Sequence, residues 1–392
     1  MRLRICGEQV RGWPSATLDS LCERITSGGT PKRGTEGYYT AEGVPWVKTQ
    51  EIQDGFIYDT EEHITDLALQ ESSAKLLPAG TLLVAMYAAP TAGRLAILGR
   101  PMACNQAACA LIPKDDLLDT RYLYYQLMNA RPDLHQLANG AAQQNLSQRV
   151  IKEIEITLPP LETQHRIAQV LGDLDDLIDL DQRLVLAARD HAATIFSCMG
   201  PSTVITLGQI AELRRNGVRP SEMGQEEPFL GLEDFAVNGG GVTSIGAVSG
   251  VTSAGSRFEE GDVLFGKLRP YFRKVDRVGF SGICTNEAWV IRPRAPYGAS
   301  FVYSVVESQE FVDWCMAGAG GTRMPRANWE HACSFPVKVP LRGNWDEKAE
   351  ASSEELWRAV WSLREEQAML KRVRDELLPL LMSGRVVPGE VA

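Results

Sequence analysis

The sequence is poor in the residues that build most catalytic centres. Histidine occurs five times in 392 residues, at His63, His135, His165, His191 and His331, a scatter without metal-ligand spacing. The eight cysteines stand singly at Cys6, Cys22, Cys104, Cys109, Cys198, Cys284, Cys315 and Cys333. With no CxxC pair they suggest neither a zinc site nor a disulfide framework, and they read as buried free thiols. No apolar run approaches the roughly 20 residues that span a bilayer, so no membrane association is expected. The opening MRLRICGEQVRGW has no apolar core of secretory length, and a soluble, cytoplasmic protein is expected. There is no NPPY or DPPY signature of an amino-methyltransferase and no glycine-rich turn suited to a nucleotide cofactor. The nearest approach, Gly261 to Lys267 (GDVLFGK), is followed by Leu268 where a magnesium-binding Ser or Thr would be needed, and its VLF reads as a strand. The triplet Gly239 to Gly241 and the run Gly318 to Gly321 read as flexible turns. A positive balance is missing too: 40 basic against 50 acidic residues leave a net charge of −10. That counts against a simple basic nucleic-acid binder, although the acidic residues crowd into two helical stretches while Arg and Lys cluster in loops elsewhere.

What is present is length and repetition. A chain of 392 residues, 44% hydrophobic and 23% charged, is too long for one ordinary core and fits two domains with connecting helices. Thr17 and Leu18 open TLDSLCERITSGGTP, and Thr206 and Leu207 open TLGQIAELRRNGVRP; each reads as a short amphipathic helix, a turn and a proline. PWVKTQEI at Pro45 and PFLGLEDF at Pro228 follow, each a short strand with a polar tail. LPAGTLLVAMYAAP around Gly80 then matches FEEGDVLFGKLRPY around Gly261, an offset of 261 − 80 = 181. MACNQAACALIP at Asn105 matches GICTNEAWVIRP at Asn286 with the same 286 − 105 = 181. The helical segments TRYLYYQLMNARPDLHQL and GASFVYSVVESQEFVDWCM lead into the glycine-rich turns GAAQQNLSQ from Gly140 and GAGGTRMPRAN from Gly318. Each half closes on a strand ending in proline, Pro160 and Pro340, 340 − 160 = 180. So many landmarks in one order mark an internal duplication.

After each half comes a long helix-forming segment. The first, about 162 to 199, repeats apolar residues at spacings of three and four through Ile167, Leu171, Leu174 and Ile178, with a polar break at Asp181 and Arg183. The second, about 346 to 382, carries Leu363, Leu370, Leu377 and Leu381, with breaks at Gln367 and Arg374. Gly200 and Pro201 stop the first and Gly384 the second. Helices of roughly 35 residues reach about 50 Å at 1.5 Å per residue and need a partner. Each could pack on its own domain; two of matched length make an antiparallel coiled coil the economical solution.

Two globular halves alternating with two helical regions, LPPLETQHRIAQVLGDLDDLIDL from Leu158 and LKRVRDELLPLLMSGRV from Leu370, resemble the type I restriction-modification specificity subunit. LPAGTLLVAMYAAPTAGRLAIL and AAQQNLSQ are similar to its target-recognition domain. The resemblance covers essentially the whole chain. It implies an α+β fold of two tandem target-recognition domains, residues 1–160 and 201–342, joined by helical spacers 161–200 and 343–392 that form an antiparallel coiled coil. It further implies a non-catalytic reader of a bipartite double-stranded DNA target. Such a reader assembles with two methylation subunits and with restriction subunits, and S-adenosylmethionine, ATP and magnesium belong to those partners.

Base reading suits Arg or Lys for guanine and Asn or Gln for adenine on loops that enter a groove. The first half offers Lys32, Arg33, Lys48, Gln50, Tyr87, Arg94, Gln143, Gln144 and Asn145. The second offers Arg214, Arg215, Arg219, Lys267, Arg269, Tyr271, Arg273, Arg323 and Arg326. Tyr87 and Arg269 follow equivalent strands, and Gln144 and Arg323 lie in equivalent turns. For each of them a solvated charge or a phosphate contact is the competing reading. Asn105 and Asn286, equivalently placed, read as turn amides rather than base contacts. Two rival functions stay open: a free-standing nuclease or methyltransferase, and a scaffold or inhibitor of a restriction-modification complex that binds no DNA.

Overall fold

The computed structural model describes residues 3–4, 12–87, 92–139, 146–198, 202–321, 323–341 and 347–389. Contacts divide the chain into two units, Met1–Asp179 with Ala368–Ala392, and Leu180–Gln367. The boundary falls inside both long helices, Leu161–Thr194 and Glu347–Met382, so each helix contributes one end to each unit.

The first unit is built on a five-stranded sheet ordered Cys22–Ser27, Ala108–Pro113, Leu82–Ala85, Leu95–Leu98, Phe56–Ile57. LLVA and LAIL are buried at every position, as expected of strands covered on both faces. Alternate side chains serve two cores. Leu82, Val84 and Ile97 pack with the helix Thr120–Asn129 and with Ile167 and Leu171, whereas Leu83, Ala85 and Leu98 pack with Val47, Met102 and Cys104. Val47 and Cys104 belong to a second sheet, ordered Ala103–Cys104, Val44–Val47, His63–Ile64, Tyr39–Thr40. The layers are therefore helices, sheet and sheet.

The second unit repeats this plan. Ala211–Arg214, Ala288–Pro293, Val263–Gly266 and Val275–Arg277 form its central sheet in that order. Val263 and Phe265 pack with Phe301, Val302 and Trp357, while Leu264 and Val290 pack with Leu230 and Cys284 of a second sheet, ordered Gly217–Val218, Gly255–Phe258, Gly282–Thr285, Pro228–Leu230, Gly246–Ala247. Gly80 and Gly261, with φ of +79° and +85°, make the turns that launch the buried strands. Only glycine adopts that left-handed conformation without steric cost.

Ladder pairing refines the equivalence of the halves. Ala85 pairs with Ala108 as Gly266 pairs with Ala288, offsets of 266 − 85 = 181 and 288 − 108 = 180. The parallel pair of Val47 with Cys104 recurs as Leu230 with Cys284, and there 284 − 104 = 180 already. The residue matching Asn105 is therefore Thr285, not Asn286. Asn105 Oδ1 accepts from the Ala107 N–H (3.1 Å), and Thr285 Oγ1 accepts from the Glu287 N–H (3.3 Å). The turn-amide reading holds for Asn105, but Thr285 performs that task in the second half. A second difference lies at the start of each half. The expected amphipathic helix is a single turn, Leu18–Leu21 or Leu207–Ile210, followed at once by a strand, because the next residues pair with Ala108–Pro113 or Ala288–Pro293.

The long helices hold 34 and 36 residues. The first passes at its end into a 3-10 turn, Ile195–Cys198; Gly200 and Pro201 lie outside the described residues. Gly384, at φ +74°, follows the second in the usual glycine position. In the first unit the buried Ile167 and Leu171 share a core with Leu378 and Leu381; Leu174, Ile178, Leu370 and Leu377 are half-buried. There Arg374 Nη1 donates to Asp175 Oδ1 at 2.8 Å. In the second unit Val185 and Ala192 pack with Trp357, Val360 and the half-buried Leu363. Gln367 Nε2 donates to Gln182 Oε1 (3.2 Å) and Ser353 Oγ to the Ala192 carbonyl (3.3 Å), so the segments in this unit run antiparallel. Beside them Asp276, fully buried, accepts from Arg364 Nη1 (2.8 Å) and from the Val242 N–H (2.7 Å) and lies 3.5 Å from Arg189 Nη2, which also donates to Tyr303 Oη (2.7 Å).

Candidate nucleic-acid interface

One backbone junction occurs in both halves. The Met86 N–H donates to the Ala107 carbonyl (2.8 Å), and the Met86 carbonyl accepts from the Leu146 N–H (2.9 Å). The Lys267 N–H donates to the Glu287 carbonyl (2.9 Å), and the Lys267 carbonyl accepts from the Ala327 N–H (2.9 Å). At one end of each central sheet, three segments far apart in sequence are thereby tied together: the loop leaving the buried strand, a tight turn, and the close of the glycine-rich turn. Fixed backbone with exposed side chains is what a reading surface requires.

In the second half this junction gathers most of the candidates. The Arg269 N–H donates to the Pro325 carbonyl (2.7 Å), and Gly320 and Arg326 exchange two backbone bonds (3.2 and 3.0 Å). Arg269 and Arg273 both take left-handed conformations, φ +52° and +46°, which a non-glycine residue adopts only where its surroundings hold it. Between them Tyr271 is 46% exposed. Arg273 Nη2 donates to the Asn238 carbonyl (2.6 Å). Arg323 is exposed. Arg326 Nε and Nη2 donate to Glu287 Oε2 and Oε1, each at 3.1 Å, and this pairing holds the guanidinium above its usual pKa. Arg214, Arg215, Lys267 and Arg326 line one open groove of about 1020 Å³ with Asn286 and Asn328. Arg214 is tied to Glu212 (3.0 Å), and Arg219 is exposed.

The first half places its candidates less uniformly. Lys32 and Gln50 are exposed, Arg94 is half-buried and Tyr87 is 39% exposed. Arg33 and Lys48 are both committed to Glu62, at 2.8 and 3.1 Å, and Arg33 also lies 4.7 Å from the Tyr39 ring centroid. Hydrogen bonds from Arg33 first, and then from Lys48, hold the Glu62 carboxyl below the usual carboxylate range. Gln143, Gln144 and Asn145 lie outside the described residues. Glu287 was not anticipated. Its partner Arg326 is 39 residues away, and no local pattern links them.

The remaining chemistry is sparse. Among the described residues no group of three or more His, Cys, Asp or Glu could hold a metal, and no helix is long and apolar enough to cross a membrane. Gly261 to Lys267 carries the strand Val263–Gly266 through its middle, not a phosphate loop. Cys22, Cys104, Cys109, Cys284 and Cys315 are buried and free, and burial pushes each thiol up to about 12.

Residues 11–186 match the family model described as type I restriction modification DNA specificity domain. A specificity subunit of the type I restriction enzyme MjaIX from Methanocaldococcus jannaschii is 30% identical over 178 residues, 44% of this chain and 40% of that protein. The EcoR124I/EcoR124II specificity subunit from Escherichia coli is 25% identical over 192 residues, 45% of this chain and 46% of that protein. The chain thus spans less than half the length of these relatives. The crystal structure of a type I restriction-modification system S subunit from M. genitalium superposes with a TM-score of 0.60 at 18% identity, covering 98% of this chain and 99% of that one, a likeness of fold through both halves. Over residues 11–186, then, the chain is similar to the type I restriction modification DNA specificity domain.

Proposed function

We propose that the chain is the DNA-recognition subunit of a type I restriction-modification complex. It reads a bipartite double-stranded target with one half-site per domain, residues 1–160 and 201–342. The spacers 161–200 and 343–392 pair as an antiparallel coiled coil that sets the distance between half-sites. The chain catalyses nothing itself; two methylation subunits, joined by restriction subunits, carry S-adenosylmethionine, ATP and magnesium. The single observation that carries this reading is the junction at Met86 and Lys267, the same backbone device built twice at the end of a buried strand with polar loops around it. The family match over residues 11–186 and the fold likeness across both halves support it.

Within each domain, exposed Arg, Lys, Asn and Gln at the junction are the base readers, and other cations such as Lys48 and Arg214 position the duplex through phosphates. The net charge of −10 is compatible with this because the partners contribute DNA affinity. The test is binding of the chain, with and without its methylation subunits, to random-sequence duplexes. A two-part consensus selected only in the full assembly is expected, with affinity falling steeply as salt rises. No selected sequence with the partners present would overturn the reading and leave a scaffold or inhibitor in its place.

A further inference from the structure

Resting on that reading, we infer that Arg326, held by Glu287, reads a guanine in the half-site of the second domain. A guanidinium offers two bidentate edges. Glu287 occupies the side edge, accepting from Nε and Nη2 at 3.1 Å each. The end of the fork, Nη1 with the outer hydrogen of Nη2, keeps the spacing that matches guanine O6 and N7. The carboxylate thus removes the rotational freedom that a long side chain would otherwise lose on binding, and it leaves the other edge unused by Glu287. Arg326 keeps 51% of its side-chain surface exposed and lines the open groove of the second unit.

The backbone beneath it is equally fixed. Arg326 exchanges both of its backbone bonds with Gly320, and its neighbours Pro325 and Ala327 bond to Arg269 and Lys267. The pairing also differs between the halves as a unit. The Met86 and Lys267 junctions align Ala107 with Glu287 and Leu146 with Ala327. Where the second half has a carboxylate the first has Ala107, and counting back one residue in the sequence, Arg326 corresponds to Asn145. Arginine and glutamate in the second half thus stand where the first half has asparagine and alanine. Guanine recognition in one half and adenine-type amide chemistry in the other follow from the same two positions.

The experiment measures binding of the full chain, assembled with its methylation subunits, to its selected target and to duplexes with each position changed to every other base. Arg326→Gln is expected to abolish discrimination at one guanine of one half-site, lowering affinity for the original duplex roughly 5- to 150-fold, while discrimination in the other half-site stays intact. Arg326→Lys keeps the charge without the fork and is expected to lose most of the same discrimination. Glu287→Gln is expected to weaken discrimination at that same guanine only. If Arg326→Gln lowers affinity for all duplexes alike and every base preference survives, Arg326 is a phosphate contact and the inference falls. It falls equally if the affected base is not guanine. If the unmodified chain selects no sequence at all, it is the proposed function that fails.

Discussion

Single residues in this protein are decided by their ion-pair partners more than by their type. Asp276 has the same chemistry as any surface aspartate, yet it is fully buried between Arg364 and Arg189. Removing one member of a buried ionic cluster strands the others, so Asp276→Ala should cost about 3–5 kcal/mol, read as a drop in urea midpoint. A loss below about 1 kcal/mol would mean that water already reaches the cluster. Glu62 gives a prediction in pH. Its folded pKa lies below the ordinary 4.5, chiefly through the hydrogen bond from Arg33. The pairing therefore stabilises above about 4.5, and that contribution is lost as pH falls through the lowered value. Glu62→Gln lacks it throughout, so the stability gap between wild type and variant should narrow from neutral pH towards pH 3. A gap constant across that range would contradict the assignment. The residue type of Arg33 and Lys48 is plain in the sequence; that both are spoken for by Glu62 is not, because Glu62 lies 29 and 14 residues from them.

Among elements, those with a strong local period were legible and those that depend on pairing were not. The second long helix, expected from about 346 to 382, is Glu347–Met382, and the buried strands after Gly80 and Gly261 stand where the apolar runs LLVA and VLF put them. The short helices expected after Thr17 and Thr206 shrank to one turn, since edge-to-edge hydrogen bonding with a distant strand outweighs a weak amphipathic pattern. Leu171 and Leu381 pack in the core of the first unit, 0% and 1% exposed. Leu171→Ala should cost about 2–5 kcal/mol, whereas alanine at the exposed Leu177 should cost far less; parallel chemical denaturation of the two variants distinguishes them. Equal losses would mean that the exposed face of the helix is covered in solution.

For the whole molecule the central prediction concerns spacing. If the paired helices set the distance between half-sites, inserting one turn, about 5.4 Å, into each long helix should lengthen the unread stretch by one or two base pairs at 3.4 Å each. Selection of targets by the altered chain reads this directly, and an unchanged spacing would remove the ruler role. At this scale the sequence by itself determined that one fold is written twice and that two long helices follow the halves, because hydrophobic periodicity and turn glycines act over a few residues and survive in a linear string. Only the tertiary structure decided that Asn105 answers to Thr285 and that Arg326 is braced by Glu287. A register step and an ion pair depend on distances between segments dozens of residues apart, and those distances exist only once the sheets have closed.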